Sequence, residues 1–222
     1  MFKLLTVLLV ALILCMDAAW AKEYKGEVIY FTQELQEAHA AYENKDYAIA
    51  IEKYKIVVNK NNLLEKSIAM FSIGSIYYFG HIPDEDYKES MHWFKLAATE
   101  GNPSAQYALG WLYENGKVVQ QDYPEAIRWY KLAAAQGLAD AQFNLSLLYY
   151  FGRGVVQNYS EALHWTKLAA AQGEVLAQFN LGTMYGEGQA VSKDYAESIR
   201  WHKLAAEQGH AGSLVNTWKY VL

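Results

Sequence analysis

Residues 102–137 read NPSAQYALGWLYENGKVVQQDYPEAIRWYKLAAAQG, and the same spelling recurs along the chain every 36 residues. The closing glycine stands at Gly101, Gly137, Gly173 and Gly209, the tryptophan at Trp93, Trp129, Trp165 and Trp201, and the tyrosine at Tyr87, Tyr123, Tyr159 and Tyr195. A period of this size marks stacked supersecondary units. In the quoted copy, Ala105, Leu109 and Leu112 form one apolar helical stripe, and Ala126, Trp129, Tyr130 and Ala133 form a second. Both have period 3.6 and neither alternates as a strand does. Each unit is therefore a pair of facing helices.

The joints are equally legible. Gly80, Gly116, Gly152 and Gly188 end the first helix of each copy, where a residue without Cβ turns the chain. Asp86, Asp122, Asn158 and Asp194 each precede a glutamate by three positions (Glu89, Glu125, Glu161, Glu197), the spacing of a capping box. Gly74, Gly110 and Gly182, with Ser146 as their near-equivalent, and the Ala97–Ala98 pair with its copies allow close approach, while rings fill the remaining space. Phe71, Tyr107, Phe143 and Phe179 are expected between helices.

Outside the repeats, Lys3, the apolar run Leu4–Met16 and an A-x-A ending at Ala21 have the three parts of a secretory signal peptide. Cleavage after Ala21 is expected to leave a chain without cysteine, since Cys15 is the only one, so packing alone must stabilise it. An uncleaved anchor is the alternative. A net charge of −5 argues against a nucleic-acid surface, which needs a clustered basic face. Residues 22–66 are assigned to an N-terminal capping hairpin, with Ala41, Tyr42, Asp46, Tyr47, Ile51 and Tyr54 at tetratricopeptide-like spacing. Repeats follow at 67–101, 102–137, 138–173 and 174–209, and a capping helix closes the chain at 210–222, where Trp218 blocks the column that Gly110 and Gly182 hold.

AQYALGWLY, a glycine turn and DYPEAIRWYKLAAAQG resemble the Sel-one-like repeat, a relative of the tetratricopeptide repeat. The third copy carries the fullest turn, YYFGRGV; Val118 and Ala190 replace its second glycine, and the first copy has His81-Ile-Pro83. The resemblance implies an all-α fold, a right-handed α/α superhelical solenoid. It also places the first helix of each unit on the concave side, where such proteins dock partners.

Chemistry-bearing motifs are absent. The Asp/Asn–Glu pairs recur in every copy, as caps must and a single active site does not. His92, Arg128, His164 and Arg200 follow those glutamates by three positions and are read as surface ion pairs. His202 lies in another column, so no histidines share metal-ligand spacing, and neither a metal site nor a cofactor is expected. No G-x-S-x-G, S-x-x-K or phosphate-cradling loop occurs. A cysteine-rich secreted branch of the family has been linked to penicillin binding and hydrolysis; this sequence lacks both its cysteine pairs and a serine machinery.

The variable columns of the first helix supply the candidate site: Tyr78, Trp111, Glu114, Asn144, Leu147, Tyr150, Asn180 and Thr183. Rings supply contact area, and asparagines suit an extended backbone. The expectation is a monomeric, non-catalytic adaptor of the bacterial periplasm, or a secreted one. It would bind a protein or peptide on the concave face, without nucleic acid and without stable membrane insertion once the signal is cleaved. The alternatives are a secreted factor engaging host proteins, and an enzyme or binder acting on β-lactam or cell-wall-like molecules.

Overall fold

The computed structural model describes residues 21–24, 27–81, 87–116, 118–210 and 212. Among these residues, ten helices follow a short strand pair: β1 Ala21–Tyr24 and β2 Glu27–Tyr30, then α1 Gln33–Glu43, α2 Tyr47–Val58, α3 Leu63–Tyr78, α4 Tyr87–Thr99 and α5 Pro103–Asn115. The last five are α6 Tyr123–Ala135, α7 Ala139–Phe151, α8 Tyr159–Ala171, α9 Val175–Glu187 and α10 Tyr195–Glu207. The chain divides into two compact units, residues 1–105 and 106–222, with the boundary near the start of α5.

The strands are a difference from the sequence reading, which began the N-terminal helical hairpin at residue 22. β1 and β2 pair antiparallel, with Ala21 opposite Tyr30 and Tyr24 opposite Glu27. Val28, Ile29 and Tyr30 are strand formers, and the first helical residue is Gln33. The signal segment 1–20, the Asp86 cap, the Ile82–Pro83 turn and the C-terminal helix with Trp218 lie outside the described residues.

Unit 1 packs α1 on α2, α2 on α3 and α3 on α4. Its core holds Phe31, Leu35, Ala38, Ala50, Ile51, Tyr54, Val57, Ile73 and Ile76, so the tetratricopeptide-like positions Ala41, Ile51 and Tyr54 face inward. The buried Glu65 carboxylate accepts from the Thr32 backbone N–H and hydroxyl, both at 2.7 Å, and so fixes the approach to α1.

Unit 2 pairs α6 with α7, α7 with α8, α8 with α9 and α9 with α10. The N-caps form as expected: Asp122 accepts from Glu125 N–H (2.9 Å), Asn158 from Ser160 and Glu161 N–H (3.0 and 3.1 Å), and Asp194 from Glu197 N–H (3.0 Å). Such a cap contributes about 1 kcal/mol. The glutamates, however, reach forward instead of closing a reciprocal box. Glu125 holds Arg128 at 2.6 Å, Glu161 accepts from Trp165 Nε1, and Glu197 serves both Arg200 and Trp201. The ion-pair reading holds for the arginines, whereas His92 and His164 lie edge-on to Trp93 and Trp165.

Close approach is severe at Gly110. A Cβ there would lie 2.5 Å from the Tyr130 ring, far inside van der Waals contact. Gly74 meets Phe94 and Gly182 meets His202 in the same way. In the third repeat both columns change together: Ser146 replaces the glycine, and Thr166 stands in the column of Phe94, Tyr130 and His202. Ring volume and glycine are thus exchanged as a pair, which preserves interior density.

A polar thread runs through unit 2. Gln136, Gln172 and Gln208 donate to the buried Gln106, Gln142 and Gln178 at 2.8, 2.8 and 2.9 Å. Gln142 and Gln178 donate onward to the carbonyls of Ala134 and Ala170 at 3.1 and 3.3 Å. Each hairpin is therefore pinned to its neighbour by bonds that would be costly to leave unmade.

Candidate partner-binding face

Seven of the eight candidate residues fall in unit 2, on α5, α7 and α9, the first helices of their hairpins. All seven are half-buried. Their helices place them at a three-residue stagger: Asn144, Leu147 and Tyr150 follow one another along α7, Trp111 and Glu114 along α5, and Asn180 and Thr183 along α9. Residues three apart share a helix face, so each helix presents one edge of this surface.

The polar members are positioned through tyrosine. Tyr130, wholly buried on α6, donates to Glu114 Oε2 at 2.8 Å. The Asn144 amide donates to the hydroxyls of Tyr107 (3.4 Å) and Tyr130 (3.3 Å). The Asn144 N–H groups are thus occupied within the protein, and the peptide-bonding role the sequence suggested for the asparagines would fall to Asn180, half-buried on α9. Tyr150 donates to Gln189 Oε1 at 2.9 Å, while Thr183 donates back to the Phe179 carbonyl at 3.2 Å. Tyr150 also lies edge-on to Phe151 and Tyr159. Leu147 offers aliphatic surface alone.

Tyr78 belongs to unit 1. There it packs edge-on to Phe79 and Tyr87, and burial pushes its hydroxyl up to about 12. Of the ring column assigned to helix interfaces, Phe71, Tyr107 and Phe143 are buried, and Phe179 remains partly open.

Two residues that sequence reading passed over belong with Glu114. Burial raises the carboxyls of Glu114, Asp140 and Glu174 above the usual carboxylate range. For Glu114 the Tyr130 bond and the Arg153 charge pull the other way; for Glu174, which caps α9 through the Ala177 N–H, the Asp140 charge adds to the rise. The Tyr107 hydroxyl is also pushed up, first by burial and then by Asp140, Glu114 and Glu174. Three partly desolvated carboxylates therefore act on one ring oxygen. Asp140 and Glu174 sit at helix starts, where an acidic residue is ordinary, and so drew no notice in the sequence.

Among the described residues, no group of three or more histidine, cysteine or carboxylate side chains could hold a metal ion, and no helix is long and apolar enough to cross a membrane.

The Sel1 repeat model matches four consecutive segments, 67–102, 103–138, 139–174 and 175–210. The chain belongs to the Sel1 repeat family. Its fold is accordingly an all-α solenoid of Sel1 repeats, and proteins built of Sel1 repeats generally serve as adaptors in protein interactions. Among solved structures, a Sel1 repeat protein from Oxalobacter formigenes is similar at 30% identity and a TM-score of 0.73, covering 83% of this chain and 74% of its own. A protective antigen of uropathogenic Escherichia coli strains, displaying an SLR fold, is similar at 35% identity and a TM-score of 0.66 over 81% of this chain. This Sel1 repeat chain spans 34% of that antigen's length. Comparison with curated proteins returned no match.

Proposed function

We propose that this Sel1 repeat protein is a non-catalytic adaptor that docks another protein, or an extended segment of one, on the first-helix face of unit 2. The observation that carries the reading is the contrast between columns. The framework positions Ala105, Ala141 and Ala177, with Leu109, Leu145 and Leu181, are constant and buried. The adjoining positions Trp111, Leu147 and Thr183 differ in every copy and stay half-exposed. A preformed stack loses little ordering entropy on association, which favours such a surface for recognition.

The place of action would be the periplasm or the exterior, in keeping with the signal-like start of the sequence, and a secreted factor that engages host proteins is the same docking function in another setting. An enzyme acting on β-lactam or cell-wall-like molecules is disfavoured by the motif-poor sequence, and a chromogenic β-lactam should show no turnover above background.

Site-specific photo-crosslinking tests the face. A benzophenone side chain at Leu147 should join the chain to a protein partner in native envelope extracts, and one at Leu168, exposed on α8, should not. Adducts from Leu168 alone would refute the assignment.

A further inference from the structure

The first helices of unit 2 carry charge of one sign. Within α5, α7 and α9, together with the residue that opens α9, the charged side chains are Glu114, Asp140, Glu174 and Glu187; no lysine, arginine or histidine occurs there. Among the described residues, the lysines and arginines of unit 2 lie elsewhere: Arg128, Lys131, Lys167, Arg200 and Lys203 on the second helices, and Arg153 and Lys193 in the turns that follow α7 and α9. This segregation is not demanded by folding, because the repeat framework on the first helix is built from alanine, leucine, glutamine and glycine.

Three of those acids are half-buried: Glu114 is tied through the Tyr130 hydroxyl and the Asn144 amide to the Tyr107 hydroxyl, Asp140 lies one turn before Asn144 on α7, and Glu174 accepts from the Ala177 N–H at the start of α9. The Arg153 charge favours the ionised form of Glu114, while among the described residues no basic group lowers Asp140 or Glu174. Each carboxylate has therefore given up part of its hydration without gaining a full counter-charge, an arrangement that a cation brought by a partner would relieve. A metal ion is the wrong cation, since among the described residues no three ligands converge on one point. A lysine or arginine side chain is the right one. Its long stem lies along apolar surface such as Trp111 and Leu147, and successive basic side chains of one segment can each meet a separate carboxylate. Nucleic acid is excluded by the sign of the charge.

We infer that the first-helix face of unit 2 takes an extended protein segment bearing lysines or arginines, with its basic side chains meeting Glu114, Asp140 and Glu174 and its neighbours packed along Trp111 and Leu147. The inference rests on the docking reading above and deepens it by naming the chemistry of the occupant. Asn180 is the amide placed to bond the backbone of that segment. Attraction between half-buried acids and a mobile basic chain weakens with salt, because screening acts on the approach and on the exposed part of the contact.

The test uses the full chain and three fluorescein-labelled peptides of about ten residues, alternating alanine with lysine, serine or glutamate, read by fluorescence polarisation. The lysine peptide is expected to bind most tightly. The double variant Asp140→Asn/Glu174→Gln should weaken it about tenfold or more at low salt, tenfold being the lower end of the coupling found for close charge pairs. Neutralising two exposed acids of unit 1, Glu43→Gln/Glu52→Gln, should leave it unchanged and so measures non-specific attraction to the acidic chain. Both replacements on the face are isosteric, Gln at 174 retains an acceptor for the Ala177 N–H, and circular dichroism checks folding. Glu114→Gln gives a third, independent loss. Equal affinity for the three peptides, no binding of the lysine peptide, or binding untouched by Asp140→Asn/Glu174→Gln overturns the inference. If binding survives that double variant but disappears in Trp111→Ala/Leu147→Ala, the docking face stands and only its charge preference falls; if neither matters, both fall.

Discussion

Ser198 lies within α10 with no exposure to solvent, and among the described residues its hydroxyl has no hydrogen-bond partner. The equivalent positions of the second and third repeats hold Ala126 and Ala162, both buried. Replacing Ser198 by alanine should therefore raise stability. A buried hydroxyl without a partner costs about 1–3 kcal/mol, and alanine is the better helix former by up to about 0.5 kcal/mol. A net gain of about 1–2 kcal/mol allows for some loss of packing around the vacated oxygen. For a chain of this size that corresponds to about 3–6 °C in Tm. The assay is thermal and urea unfolding followed at 222 nm, with Ala162→Ser as the mirror experiment, expected to lose a similar amount. A lower Tm for Ser198→Ala, or a higher one for Ala162→Ser, would show that the hydroxyl is bonded and that the repeats are not interchangeable at this column.

Further outcomes follow from the same structure. Gly110→Ala would place a methyl 2.5 Å from the Tyr130 ring and should cost about 1–3 kcal/mol by overpacking, measured as a fall in the urea midpoint; a neutral result would mean that the α5–α6 contact is looser than described. Ala190 holds φ 57°, the left-handed conformation that glycine occupies at Gly154 in the third repeat, so Ala190→Gly should gain about 1 kcal/mol, and a loss would show that its methyl is packed. For Asp140 and Glu174 the sign of the pH dependence is fixed by the direction of the shift. A folded-state carboxyl raised above its unfolded value binds more protons when folded, so stability falls as pH rises through that interval and the penalty is complete above it. Asp140→Asn/Glu174→Gln should therefore be more stable than the parent near neutrality, with the advantage shrinking as the pH drops below the carboxylate range. A constant difference at every pH would contradict the burial of these groups.

The hairpins were legible because their signals are local: a 3.6-residue apolar stripe, an aspartate or asparagine cap and a closing glycine fall within each 36-residue unit. Asp122, Asn158 and Asp194 cap as their spacing required. What sequence spacing left hidden depends on partners far along the chain. Gln106, Gln142 and Gln178 look like surface residues until a second glutamine 30 positions away is seen to bond each of them. Glu65 looks like an ordinary first-turn acid, yet its partner is Thr32, 33 residues earlier. Tyr130 reads as core; the structure adds that its hydroxyl orients Glu114 and accepts from Asn144, linking core and face. The acidic character of that face escaped because Asp140 and Glu174 open helices, where a carboxylate ordinarily answers to the helix end alone.

The claim that the first helices of unit 2 receive a partner is tested most directly by comparing two pairs of replacements in one capture experiment with a crosslink-identified partner. Trp111→Ala/Leu147→Ala alters the first-helix face, and Leu132→Ala/Leu168→Ala alters exposed leucines of α6 and α8. With all proteins shown to be folded, the first pair should abolish capture and the second should leave it intact. Loss of capture in the second pair with retention in the first would place the partner on the second helices and contradict the account.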